Sequence, residues 1–408
     1  MNASVSGTAP SASISSALSA IVGVLSSFGM ACVLFLFLAV LTYCGTLEQV
    51  ELGLFEVQKK YFESVFLVHW LFDRVPVPLP GVYLLLILLA VNLTLGGVVR
   101  LRKGARTIGV LIGHLGILLM LLAGFVKLKF SDDGQMTLYE NQSSAEFQSY
   151  FEWEIAIADS KAQNGSFREW RIDGPDFLGR PKGKTTTFTS ADLPFDLVVV
   201  DSEPNSRVEP ASEDMPKSRI VDGYYLLPRR LEKTAEVNVA GASIALRDKG
   251  TGVVRNALLL GLEMFPKYAP DPFYFDCQGR RFAIVLRHRR FPLPFTVELN
   301  KATRELHPRT MTASKYASDI TKIENGVRQP IHISMNEPLR HKGYTFFQTT
   351  MGPENAPPGA RLYSGFAVVR NPSDHWPLYS CIVIATGLLI HFSQKLYRHL
   401  KAEARSRA

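Results

Sequence analysis

Nine histidines and four cysteines are the side chains of this 408-residue chain best equipped to hold a metal, move a proton or attack a substrate. Two histidines, His114 and His391, stand inside uncharged apolar runs. An ionisable side chain at membrane depth is costly and turns toward a bundle interior or a site. Each of the two therefore either holds a ligand or bonds, as neutral imidazole, to a neighbouring helix. For His391, four residues from Lys395, the negative end of its helix offers a third role. His69, His288, His307, His332, His341 and His375 lie in more polar stretches and read as ordinary surface residues. Cys32 and Cys381 lie in apolar runs, Cys44 sits just past one, and Cys277 is alone in the polar middle. With no CxxC and no CxxCH, the chain is neither a thioredoxin-type oxidoreductase nor itself a c-type cytochrome, and a disulfide framework is excluded. Cys44 follows bulky Tyr43, which argues against lipid attachment. Cys44 and Cys277 are either redox thiols or inert, and lone thiols are usually inert. No metal-ligand cluster, phosphate-cradling glycine loop or Ser-His-Asp spacing stands out.

The elements that must position these groups are visible as charge-free segments. Residues 21–41, 82–99 and 108–126 carry no charge and are long enough to cross a hydrocarbon core of about 30 Å at about 1.5 Å per residue. The run 378–392 is shorter, but Tyr379, Tyr397 and Lys395 suit an interface, which extends the fourth span to 377–393. The first run exceeds a signal-peptide core and has no Lys or Arg before it, so it reads as a span and not a cleaved leader.

Lysine and arginine placement orients the spans. The loop between the second and third carries Arg100, Arg102, Lys103 and Arg106 with no acid, and the tail 394–408 is basic. By the positive-inside rule both are cytoplasmic, as then is the N-terminal segment 1–20, and 45–80 and 127–376 lie outside. Much of the net charge of +8 is thus topological. Such residues meet anionic lipid headgroups, which leaves a nucleic-acid partner poorly supported.

Residues 127–376 carry strand signals at 135–139, 154–158, 195–201, 282–286, 295–299 and 331–335, with no long helical periodicity. The expected fold is four transmembrane α-helices with a large β-rich extracytoplasmic domain inserted between helices three and four. An internal echo, Leu193-Pro-Phe and Leu293-Pro-Phe, suggests two lobes within it. Residues 202–217 and 351–359 read as loops. The region has the look of a docking platform.

With that order in view, the chain resembles the ResB family (CcsB type), the membrane component of system II cytochrome c biogenesis. Cys44-Gly45-Thr46-Leu47-Glu48-Gln49 resembles the family's GT-x-x-Q stretch, followed by Tyr61-Phe62-x-Ser64, Leu79-Pro80-Gly81, Asn92-Leu93 and His114-Leu115-Gly116. Ser318-Asp319-Ile320, Asn336-Glu337-Pro338-Leu339, Gly343-Tyr344 with Gln348, then Asn371-Pro372 and Tyr379, continue the pattern. The likeness runs from about residue 20 to residue 393 and is thin across 150–280. Asn141 stands where Gly is expected and Asn371 where Asp is common; both are tolerable in turns, and Asn reaches left-handed geometry.

The resemblance implies haem b as cargo, carried across the bacterial cytoplasmic membrane and attached on its outer face to apocytochrome c. It implies a CcsA/ResC-type partner with a tryptophan-rich WWD motif, which this chain lacks, having only four Trp. Thiol-reducing pathway proteins are further expected partners. It makes the chain a non-catalytic or co-catalytic subunit of a holocytochrome c synthetase-type complex. Imidazole is a good axial ligand to haem iron. His114 is the candidate haem ligand, the second ligand coming from the partner, and His391 is a weaker haem candidate. His375, beside Trp376, is a further residue to meet departing haem. Gly109, Gly113 and Gly116 would admit a neighbouring helix or a flat macrocycle, and Asn92 would bond across helices. The alternative reading is a scaffold that docks apocytochrome without a haem ligand of its own. A membrane sensor is disfavoured, because the cytoplasmic parts are too short for an output domain.

Overall fold

The computed structural model describes residues 11–71, 74–159, 168–181, 183–211, 220–261, 271–308, 313–353 and 360–407. In chain order the helices are α1 (Ser11–Leu25), α2 (Phe28–Leu52), the short α3 (Leu54–Val57), α4 (Val82–Asn92), α5 (Ile108–Phe130), the short α6 (Gly174–Phe177) and α7 (Trp376–Arg407). Two π-helical stretches, Gln58–Phe62 and Leu93–Val99, continue α3 and α4. The chain divides into two compact units, a helical one formed by Met1–Ser131 with Asn371–Ala408 and a β-rich one, Asp132–Arg370. Among the described residues four helices are long and apolar enough to cross a membrane: Phe28–Leu52, Val82–Val99, Ile108–Phe130 and Trp376–Arg407. Three precede and one follows the β-rich region, the order that the apolar runs predict, and the protein is a multi-pass membrane protein.

The first apolar run does not make a single helix. It breaks at Ser26-Ser27, where Ser27 takes extended backbone and caps α2 by accepting from the Met30 amide at 3.1 Å. A serine N-cap competes with helix continuation because its hydroxyl satisfies an otherwise orphaned amide. α2 then runs on to Leu52, well past the expected end of the span. The segment after it is not a loop. It contains α3, a π-turn and an antiparallel hairpin of β1 (Phe66–Leu71) and β2 (Val75–Pro80). Leu67 and Leu79 of the hairpin pack with Leu41, Tyr61, Val82 and Leu85. α7 likewise continues through the basic tail to Arg407.

In the β-rich unit the strands are β3 (Asp132–Tyr139), β4 (Gln142–Asp159), β5 (Glu169–Asp173), β6 (Thr186–Phe188), β7 (Phe195–Glu203), β8 (Ser206–Pro210), β9 (Tyr224–Pro228), β10 (Gly241–Asp248), β11 (Val254–Leu260) and β12 (Phe273–Cys277). They continue as β13 (Arg280–Leu306), β14 (Ala313–Glu324), β15 (Val327–Ser334), β16 (Leu339–His341), β17 (Tyr344–Gly352) and β18 (Tyr363–Arg370). The main sheet runs β15-β14-β13-β4-β3-β18-β17-β16, with β12 on β13 and β5 on β4. A second sheet runs β11-β10-β7-β6, and β8-β9 form a separate ribbon. The part of 202–217 read as a loop therefore contains a strand, β8, whose Val208 pairs with Leu226; residues 212–217 lie outside the described ones, as do 354–359 of the other expected loop.

Two hydrophobic cores are strung on one long strand pair. β13 sends Phe282, Ile284 and Leu286 into one core and Phe295, Val297 and Leu299 into the other, each set obeying the two-residue period of a strand. Its partner β4 does the same with Ile155 and Ile157 in the first and Phe147 in the second. A register shift between Pro292 and Val297 separates the two stretches. The two Leu-Pro-Phe echoes fall one to each core, Leu193 and Phe195 in the first, Leu293 and Phe295 in the second. Asn141, in the turn between β3 and β4, has φ 63°, the left-handed geometry for which Asn substitutes for Gly.

Candidate functional site in the helical unit

His114 is carried by α5, and what fixes its ring is the π-helical end of the second span. Its Nδ1 lies 2.9 Å from the Gly97 carbonyl oxygen. A carbonyl only accepts, so Nδ1 carries a proton and donates it, and the tautomer that fits this contact has its lone pair at Nε2. Gly97 must be glycine for this contact, since an added Cβ would lie 2.6 Å from Nδ1. In a π-helix the hydrogen bonds reach one residue further than in an α-helix, and such stretches are frequent at functional sites. The π stretch starts just after Asn92, whose buried Nδ2 donates to the carbonyls of Leu25 at 2.7 Å and Ser27 at 2.9 Å. Asn92 thus ties the second span to the break between α1 and α2, the interhelical bond expected of it. Gly96 packs on the Ser26 carbonyl and Arg100 donates to the Ser26 hydroxyl, closing the same seam.

The glycines of α5 are used for helix packing. A Cβ on Gly109 would lie 2.6 Å from the Gly387 carbonyl oxygen and the His391 amide nitrogen, and one on Gly116 would strike Ile384. Reciprocally, a Cβ on Gly387 would lie 2.5 Å from the Gly113 nitrogen. Helix α7 thus lies on Gly109 and Gly116, while a Cβ on Gly113 would meet nothing within 4 Å. Sequence reasoning missed Gly387, although its spacing with Ser380 and His391 along α7 puts small or polar residues on one face, a pattern that signals close helix contact. His391 has a different neighbour from His114: its backbone rests on Gly109, and its Nδ1 is buried without a hydrogen-bond partner. The two imidazoles therefore belong to different seams, one between α5 and the second span, the other between α5 and α7.

A second polar cluster joins the end of α2 to the π-turn and hairpin that follow it. Lys60 Nζ donates to Glu48 Oε1 at 2.6 Å and the Tyr61 hydroxyl to Glu48 Oε2 at 2.5 Å. The His69 Nδ1 lies 2.6 Å from the same hydroxyl. Tyr61 has one proton and gives it to the carboxylate, so His69 donates to the phenol oxygen. Burial, and then the bond to Glu48, push the Tyr61 phenol well above its ordinary range. His69 is a clamp between the hairpin and α2, not an ordinary surface residue.

Two further histidines also depart from that expectation. His288 is buried, stacked on Trp153 with ring centroids 3.8 Å apart, and burial pushes its imidazole down to about 4. Gly261 lies against the same indole, where a Cβ would come within 2.2 Å of the ring. His341 bonds Glu324 at 2.8 Å, and hydrogen bonds from Lys342 and His341 hold that carboxyl down at about 2. Expectation and structure agree for His332 and His375, whose side chains are more than half exposed. Cys277 is buried beside Asp248, and burial pushes its thiol up to about 11, which favours the inert reading. Among the described residues no group of three or more His, Cys, Asp or Glu is gathered as a metal site.

Two motif residues of the β unit, Ser318 and Gln348, meet in a buried hydrogen-bond network. The Ser318 hydroxyl donates to Gln348 Oε1 and shares a second bond with Ser364, both at 2.6 Å, and all three side chains are buried. They bridge β14, β17 and β18 inside the second core, where an unmade hydrogen bond would cost about 1–3 kcal/mol.

Residues 278–358 match the model of the ResB-like family. That segment runs from the start of β13 through β17 and contains Ser318, Asn336 and Gln348; His114 lies outside it. No curated protein matches the chain.

Proposed function

We infer from this ResB-like segment, carried by a multi-pass membrane protein, a role in cytochrome c biogenesis. We propose that the chain handles haem as cargo across the bacterial cytoplasmic membrane and works with a CcsA/ResC-type protein that bears the WWD motif. In this reading the basic residues Arg100, Arg102, Lys103 and Arg106 support a cytoplasmic α4–α5 connection by the positive-inside rule, with the β unit on the outer face to meet apocytochrome c. Thiol-reducing proteins that keep the apocytochrome cysteines ready act on the same face.

His114 is the proposed axial ligand to haem iron. The observation that supports it is the bond from Nδ1 to the Gly97 carbonyl, which orients the ring and leaves Nε2 as the nitrogen that can ligate. Iron-ligating histidines need that tautomer. In this reading the haem site is completed from outside this chain, and the second ligand comes from the partner. The subunit is non-catalytic or co-catalytic in this reading: it holds iron and orients the ring. His391 is the weaker candidate, because it is committed to the α5–α7 seam.

The test is an absorption spectrum of the protein co-purified with its partner. His114→Ala is expected to remove the haem signal and cytochrome c maturation, and exogenous imidazole is expected to restore haem to His114→Gly. Unchanged haem in both variants rejects the ligand assignment. A second reading is favoured by the contacts of α7 on Gly109 and Gly116: a scaffold that docks partner and apocytochrome without binding iron. Colourless wild-type protein that still retains its partner would establish it.

A further inference from the structure

The hairpin β1–β2 has no polar face. Its inner face, with Leu67 and Leu79, packs in the helical core. The register pairs Phe66 with Pro80, Val68 with Pro78 and Trp70 with Pro76, so these six residues share the other face. Phe66, Val68 and Trp70 are 73%, 46% and 52% exposed. An antiparallel sheet that meets water on one side alternates apolar with polar residues, and this one does not. A contiguous apolar face of this kind marks a surface made to be covered.

We propose that this face lies in the headgroup–acyl boundary of the bilayer, making the hairpin an interfacial anchor beside the second span. Three observations single out lipid as the occupant. First, β2 runs through Gly81 directly into the helix Val82–Val99, and Leu67 and Leu79 share a core with Val82 and Leu85 of its first turn. The hairpin is therefore held at the level where that helix enters the membrane. Second, Trp70 and Phe66 are the aromatic types that settle at the interface, and the tip carries a basic residue, Arg74. Third, β2 has proline at 76, 78 and 80. Proline has no amide hydrogen, so these positions offer no N–H donor at the strand's free edge, where a region poor in water would leave donors unsatisfied. The same prolines deny a protein partner the donors that strand addition requires. The clamp Glu48–Tyr61–His69 then has a purpose, since it fixes the hairpin's inner face to α2 and leaves the apolar side outward.

The experiment uses the full chain in vesicles of phosphatidylcholine with brominated acyl chains, read by tryptophan emission. Trp376 begins α7 and is replaced first, and Trp376→Phe is compared with Trp376→Phe/Trp70→Phe; Trp153 and Trp170 contribute equally to both. The expected result is a bromolipid-quenched component in the first protein that is lost in the second and resists aqueous iodide. Emission from Trp70 that iodide quenches and bromolipid does not would overturn the proposal. So would emission shielded from both quenchers, which would mean that protein covers the face. Trp70 is half-exposed, so the substitution leaves the fold intact, and circular dichroism of both variants checks this.

Discussion

His114 and His288 are both held by close neighbours, yet they end with different chemistry. In the helical unit the contact is a single hydrogen bond to a backbone carbonyl, made possible by a glycine, and it engages Nδ1 and not Nε2. In the β unit the contact is a stack on Trp153 inside the first core, and burial alone suppresses the charge. The same contrast runs through both units. Between its apolar spans the helical unit gains its specificity from a few close backbone approaches, Gly97, Gly109, Gly113 and Gly387, and from the buried amide of Asn92, its Glu48–Lys60 pair lying near the end of α2. The β unit uses charged pairs: Arg287 bonds Glu154, which is fully buried, at 2.9 Å, and also Glu169. Lipid-facing helices have little hydrophobic drive toward one another, so shape and sparse polar bonds must select the contacts. A water-facing sheet already has its cores and can carry ions between strands.

If that contrast holds, the largest effect is expected in the β unit. Arg287→Ala leaves the Glu154 carboxylate buried and unpaired and should cost about 3–5 kcal/mol, read as a fall in the thermal unfolding midpoint. Adding Glu154→Leu should recover part of the loss; no recovery would mean that packing, not charge, sets the cost. In the helical unit Gly387→Leu drives a side chain into the Gly113 backbone and should cost about 1–3 kcal/mol. A melt in detergent checks it, and an unchanged midpoint would break the claim that α5 and α7 are held by close approach. The smallest effect separates the histidines. The folded value of His288 lies below the ordinary 6.5, so the unfolded chain binds more protons between about pH 6.5 and 4. Stability from this group is complete above that window and is lost as the pH falls through it. His288→Phe keeps a ring on Trp153 but cannot titrate, and should flatten that part of the stability profile, measured by unfolding midpoints across the range.

Much of the site was legible only in outline. His114 stood out because an imidazole in a charge-free run is rare, and Asn92 for the same reason. The glycine stripe was visible, but its two readings differ only in what lies opposite, and that is set by α7, more than 250 residues later in the chain. His69 and His288 carried no local mark: one gains its role from Glu48 and Tyr61, the other from strand β4. The break at Ser26-Ser27 had a signal, since two serines can cap a helix, but the continuous apolar run masks it.

The sequence by itself determined four membrane-crossing helices around a β-rich insertion and the order of ResB-like motifs, because apolar length, charge placement and two-residue alternation are local properties of the chain. The tertiary structure alone decided which nitrogen of His114 is engaged, that helix α7 lies on Gly109 and Gly116 of α5, and that burial pushes the imidazole of His288 down to about 4. Each of these depends on one atom meeting another across a long stretch of sequence, at distances of about 3 Å, where a hydrogen bond is made or lost.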